Sequence, residues 1–146
     1  MLRPSDLKVL VELRRNSRSN LSELSRKTKL PISTLFDKLK RFNKSIIRKN
    51  AALLNFRYMG LERKKVFLKV AKNDQQKLLV FLKSHPAVNT LYKVDNRFDF
   101  LAEIIFAGLT EYYRFLKELE QFDILSKEDY SIIEEFRHED YLTLPN

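Results

Sequence analysis

The stretch Asn20-Leu21-Ser22-Glu23-Leu24-Ser25-Arg26-Lys27-Thr28-Lys29-Leu30-Pro31-Ile32-Ser33-Thr34-Leu35-Phe36-Asp37-Lys38-Leu39-Lys40-Arg41-Phe42 decides how the amino-terminal third folds. Asn20 stands three residues before Glu23, the spacing at which an Asn caps a first helical turn and the acid reaches back to the N–H of the cap. The short helix opened there carries Leu21, Leu24 and Thr28 on one side and stops near Lys29. After the Leu30-Pro31 turn, Ile32, Leu35, Phe36, Leu39 and Phe42 recur at helical spacing and predict one apolar face. Ser33, Thr34, Asp37, Lys38 and Arg41, with Lys40 at the edge, fall opposite it.

Upstream, Ser5 is the expected cap of a first helix whose stripe is Leu7, Leu10, Val11 and Arg14, widened by Val9 and Leu13. A break at Asn16 to Asn20 separates it from the second. Two short helices joined by a tight turn, behind a supporting helix, make a helix-turn-helix, in which the last helix projects. A projecting face of short hydrogen-bonding groups and long cations suits a major groove, although on most helices such a face is simply solvated. The expected DNA contacts are Ser33, Thr34, Asp37, Lys38 and Arg41, with Ser22 and Arg26 on the second helix.

Charge weighs between these readings. The chain has 28 Lys and Arg against 19 Asp and Glu, a net charge of +9, but residues 1–50 hold 14 basic against 4 acidic residues and the rest 14 against 15. Such a field attracts a polyanion, because neutralising phosphates releases condensed counterions. An acidic membrane surface would be attracted as well, and basic residues also serve solubility. Three helices of the right length and order inside the basic region select double-stranded DNA.

Residues 46–55 place a basic turn between apolar ends, and read equally as a wing or connecting strand that lays Arg48 and Lys49 beside phosphates, or as a plain linker. Gly60 then marks where a second unit begins. The expected division is a helix-turn-helix domain at 1–45, a wing or connecting strand at 46–60 and a second domain at 61–146.

In that second domain Val66, Leu68 and Val70 alternate with Lys65, Phe67 and Lys69, the period of a strand. A helix follows from Asp74, with Leu78, Leu79, Leu82 and Phe81 as its stripe, and His85-Pro86 ends it. Residues 88–95 alternate weakly and 98–106 strictly, with Asn96-Arg97 as the turn between them. Gly108 and Thr110 introduce a helix marked by Tyr112, Tyr113, Leu116, Leu119 and Glu120, before a last strand containing Tyr130, Ile132 and Ile133. The order βαββαβ is the ferredoxin-like plan, so the whole chain is expected to be α+β. Phe67, Leu91, Leu101, Ile105 and Ile133 are expected on the sheet face that the helices leave open, where a second copy would cover them as a homodimer.

Length and composition set the outer limits. With 146 residues, 44% of them hydrophobic, the chain buries one respectable core or two small ones. The absence of cysteine excludes disulfides, thiolate metal sites and cysteine nucleophiles, and fits a reducing cytoplasm. Met1 to Asp6 lack the pattern of a signal peptide, and charges interrupt every hydrophobic stretch before roughly 20 residues, so a soluble cytoplasmic protein is expected.

Taken together, these stretches resemble the Lrp/AsnC (feast/famine) family of transcription regulators over almost the entire chain. The opening helix Asp6-Leu7-Lys8-Val9-Leu10-Val11-Glu12-Leu13 with Arg18 after it, Glu23-Leu24-Ser25, Leu30 to Phe42, and Ile47 through Leu54-Asn55 to Met59-Gly60 carry the likeness. So do Pro86-Ala87-Val88 and Asp95-Asn96-Arg97-Phe98-Asp99, the latter similar to the segment leading into a loop that helps bind amino-acid effectors. The resemblance implies a sequence-specific regulator that reads palindromic sites as a dimer, often assembled into tetramers or octamers. It also implies an amino-acid effector contacted by Asp95, Asn96, Arg97 and Asp99. The family favours glycine at four turns occupied here by Lys29, Ser45, Asn96 and Asp123. A retained positive φ at Lys29 or Ser45 would cost roughly 1 kcal/mol.

Two other classes of protein share parts of this pattern. An architectural protein that wraps DNA with little sequence preference shares every feature above. Some tetrapyrrole decarboxylases are built on a similar two-part plan, but that chemistry needs convergent His and Arg side chains, and the only histidines are His85 and His138, neither with a partner at metal-ligand spacing. No nucleophile motif, phosphate-cradling glycine loop or standout carboxylate pair appears, so no enzyme, cofactor or metal is expected.

Overall fold

A computed structural model of the chain describes residues 1–95 and 97–143. It divides into two units, Met1–Leu53 with Phe136–Asn146, and Leu54–Glu135.

In the first unit, helix α1 (Pro4–Arg15) starts at a proline, whose missing N–H would be unsatisfied there anyway. The N–H of Arg3 donates to Asp6 Oδ2 at 2.9 Å, so the cap is Arg3 and not the expected Ser5, which lies within the first turn. Helix α2 (Leu21–Thr28) opens as expected: Glu23 N–H donates to Asn20 Oδ1 at 2.9 Å, and Asn20 N–H to Glu23 Oε2 at 3.3 Å. It closes on Lys29 with φ 61°, a left-handed residue that returns the chain toward helix α3 (Ile32–Ser45). Ser25 Oγ donates to the carbonyl of Leu30 at 2.7 Å and ties this turn down. Ser45 stays helical, so only Lys29 of these two keeps the conformation that favours glycine.

The core of this unit is Val9, Leu10, Leu24, Leu35 and Phe42, flanked by Leu13, Leu21, Leu30, Leu39 and Ile47. The buried side of α1 is therefore Asp6, Val9 and Leu10, with Leu7 exposed, about one position round from the stripe read in the sequence. Residues 47–55 form neither helix nor strand, so no strand occupies the part read as a wing or connection, and 56–60 form a turn. Gly60 takes φ 76° in that turn, a value that strains any residue with a Cβ. Phe136 to Thr143 cluster with this first unit, whereas the expected division puts them in the second domain.

The second unit contains β1 (Glu62–Val70), a turn of 3-10 helix, α4 (Gln75–Ser84), β2 (Val88–Lys93), β3 (Phe100–Phe106), α5 (Leu109–Leu119) and β4 (Ile124–Ser131). The strands pair antiparallel in the order β2-β3-β1-β4, the ferredoxin-like arrangement. Val66, Leu68, Val70, Phe100, Ala102, Ile104 and Phe106 face the helices and pack with Leu78, Leu82, Tyr112, Phe115 and Leu119.

Two differences from the sequence reading have local causes. The β2–β3 register shifts between Val88 and Thr90, so Val88 and Leu91, three apart, both reach the helix side. Leu91 is thus a core residue, not part of the open face. Ile133 lies beyond the end of β4 and is 82% exposed.

Candidate nucleic-acid interface

Helix α3 buries Leu35, Lys38 and Phe42 and half-buries Thr34 and Leu39. Its outward side shows Ile32, Ser33, Phe36, Asp37, Lys40, Arg41, Asn43 and Lys44. The expected contacts Ser33, Asp37 and Arg41 are therefore accessible, and Thr34 lies at the margin. Lys38 is a correction: it is packed inside the unit and cannot project.

The reason is Asp6. Its side chain is 3% exposed, and a buried carboxylate needs compensating donors. Lys38 Nζ lies 2.5 Å from Asp6 Oδ1 and 3.1 Å from Ser5 Oγ, while Arg41 Nη2 donates to the same Asp6 oxygen at 2.8 Å. The hydrogen bond from Lys38, then that from Arg3 N–H, outweigh desolvation and hold the Asp6 carboxyl down at about 2. With Lys38 on the inward side beside Leu35 and Phe42, Ile32 and Phe36, expected in the apolar seam, lie at the surface at 48% and 57% exposure.

Other cations surround this helix. Ser22 and Arg26 on α2, and Arg48 and Lys49 after α3, are exposed. No ion pair among the described residues holds Arg26, Lys40, Lys44, Arg48 or Lys49. Arg14 and Arg15, by contrast, are taken up by the returning carboxy-terminal segment. The Arg14 guanidinium bonds Glu139 and the Tyr141 carbonyl, and Arg15 Nε donates to the Thr143 carbonyl at 3.1 Å. Periodicity carries no signal for such a return. By sequence, the first unit has 15 basic and 6 acidic residues and the second 13 of each, so the whole net charge of +9 belongs to the first.

In the second unit, Asp95 and Arg97 are exposed, Arg97 Nη2 donating to Glu128 at 2.5 Å, and Asn96 lies outside the described residues. Asp99 has both carboxylate oxygens engaged, one by Val70 N–H at 2.9 Å and one by Gln75 Nε2 at 3.3 Å, so it pins the end of β1 and the start of α4. The open sheet face carries Phe67, Leu101 and Ile105, half-buried, with Tyr92 and Tyr130 exposed. Tyr130 meets Phe67 edge-on at 6.0 Å between ring centroids. A shallow depression of ≈ 420 Å³ on this face is lined by Lys65, Phe67, Arg97, Phe98, Glu128 and Tyr130.

His85 is engaged at both ring nitrogens: Ala87 N–H donates to Nδ1 at 3.1 Å, so Nε2 carries the proton it gives to Glu118 at 2.9 Å. Among the described residues, no group of three His, Cys, Asp or Glu side chains could hold a metal ion, and no helix is long and apolar enough to cross a membrane.

An exposed helix of mixed polar and apolar surface on a basic three-helix unit, followed by a ferredoxin-like sheet, defines a class: helix-turn-helix proteins with an appended α/β sandwich. Residues 2–45 match the family described as winged helix-turn-helix DNA-binding. No curated protein sequence matches the chain. Among solved structures, a transcriptional regulator of Neisseria meningitidis in complex with L-Met is similar, with a TM-score of 0.85 and 22% identity over 99% of this chain and 97% of that one. LrpC of B. subtilis is similar with a TM-score of 0.85 and 19% identity over 94% of this chain and 98% of its own. AsnC of E. coli gives a TM-score of 0.81 and 15% identity over 94% of this chain and 96% of its own. The chain therefore has the Lrp/AsnC fold over 94% to 99% of its length, as the resemblance in its sequence implies.

Proposed function

We propose that this chain is a transcriptional regulator of the Lrp/AsnC type that binds double-stranded DNA with the outward face of α3. The observation that carries this reading is the placement of Ser33, Asp37, Lys40 and Lys44 on the exposed side of the second helix of a helix-turn-helix, in the unit that holds the entire net charge. Ser33 and Asp37 lie in the first two turns, the part of a recognition helix that reaches base edges. A carboxylate beside phosphates is unfavourable, so Asp37 suits a base contact, accepting from a cytosine amino group. Lys40, Lys44, Arg26, Arg48 and Lys49 are placed to neutralise phosphates along either side, and Arg41 joins them with the donors that Asp6 leaves free.

The regulator works as a homodimer through the open sheet face, where Phe67, Leu101, Ile105, Tyr92 and Tyr130 offer apolar surface and Lys65 and Glu128 offer both signs of charge. Closed twofold symmetry presents two recognition helices to a palindromic site. An amino-acid effector near Asp95 and Arg97 is consistent with the L-Met held by the similar Neisseria protein. Asp99 holds that region in place, since its oxygens already accept from Val70 N–H and Gln75 Nε2.

Selecting bound duplexes from a random pool, with and without amino acids, tests this reading. A regulator enriches a palindrome over random duplex by a specificity ratio of at least about 10³. No enrichment, with binding retained, identifies an architectural protein instead.

A further inference from the structure

We infer that Phe36, with Ile32 beside it, reads the 5-methyl group of thymine and so selects T at defined positions of the bound site. This rests on the DNA reading above and adds to it a specificity-determining residue.

Phe36 is 57% exposed and Ile32 48%, although helical spacing with Leu35, Leu39 and Phe42 assigns both to an apolar seam that the observed rotation of α3 leaves them outside. Leu35, Lys38 and Phe42 take the inward side in that rotation, Lys38 paired with Asp6. Four residues apart, the two side chains are neighbours on the helix surface. They stand in the first two turns, flanked by Ser33 and Asp37 and followed by Lys40 and Lys44. An apolar protein partner would have to desolvate those cations to reach Phe36. A DNA major groove instead pairs them with phosphates and offers one apolar group, the thymine methyl, at the depth reached by the start of a recognition helix.

The test uses the full chain and a duplex selected by it, in which each thymine in turn is replaced by deoxyuridine, a change that removes only the methyl group. Affinity is read by fluorescence anisotropy. At one or more positions the replacement weakens the wild type about fourfold, the value of one buried methyl. Phe36→Ala binds the thymine and deoxyuridine duplexes equally at that position, and Phe36→Leu keeps the difference. Because Phe36 is exposed, Phe36→Ala keeps the wild-type melting temperature. If the replacements leave the wild type unchanged, or weaken wild type and Phe36→Ala alike, the inference fails while the DNA reading stands. If the wild type binds no duplex in dilute salt, both fail.

Discussion

The ammonium of Lys38 on α3 is seated on the carboxylate of Asp6 on α1, with Nζ 2.5 Å from Oδ1 and the two side chains 10% and 3% exposed. This pair, joined by Arg41 at 2.8 Å, shares the inward side of α3 with the buried Leu35 and Phe42. Removing Lys38 leaves a buried carboxylate with only Arg41 and the Arg3 N–H as donors, whereas replacing both Asp6 and Lys38 with apolar groups of similar size can be nearly neutral. Lys38→Ala is expected to lower the melting temperature of the chain by roughly 5 °C. Asp6→Leu combined with Lys38→Met is expected to recover most of that loss. Thermal melts followed by circular dichroism check both, and an unchanged melt for Lys38→Ala contradicts the pairing.

The same carboxylate sets an acid limit. Its pKa falls from 3.8 to about 2 on folding, so its contribution is complete above the unfolded value and disappears as pH drops through the folded one. The stability gap between wild type and Asp6→Asn should stay constant from about pH 5 to 7 and narrow below about pH 4. Urea unfolding across that range reads the gap directly.

Much of this was legible in the sequence, where the signal was local. The Asn20–Glu23 cap, the order of helices and the βαββαβ succession each follow from spacing within one turn or one strand. The phase of α3 was not, because periodicity scores Lys38 as surface and Phe36 as core. Only Asp6, 32 residues away in the chain, reverses that assignment. The place of Leu91 was hidden by a bulge, and the return of residues 136–143 to the first unit has no periodic signature at all.

Lys29 carries a positive φ of 61° at the end of α2, where a Cβ is strained. Lys29→Gly is expected to stabilise the chain by roughly 0.5–1 kcal/mol, the relief of strain exceeding the added freedom of the unfolded state. Denaturant midpoints measure it. Destabilisation would mean that the lysine side chain itself contributes at that turn.

The open face of the sheet predicts its own test. A charge placed at Phe67, between Tyr130 and Leu101, should disrupt a shared apolar surface while leaving the helix-side core intact. Sedimentation of Phe67→Asp is expected to show a folded monomer where the wild type is a dimer. A wild type that sediments as a monomer removes the proposed assembly.

The salt dependence of binding to a selected duplex tests the outward face of α3 most directly. For Lys40→Ala combined with Lys44→Ala, the slope of log K against log salt should shrink by about 2 relative to wild type, with Lys77→Ala in the second unit unchanged. Equal slopes for all three proteins, or no binding by the wild type at low salt, would contradict the account.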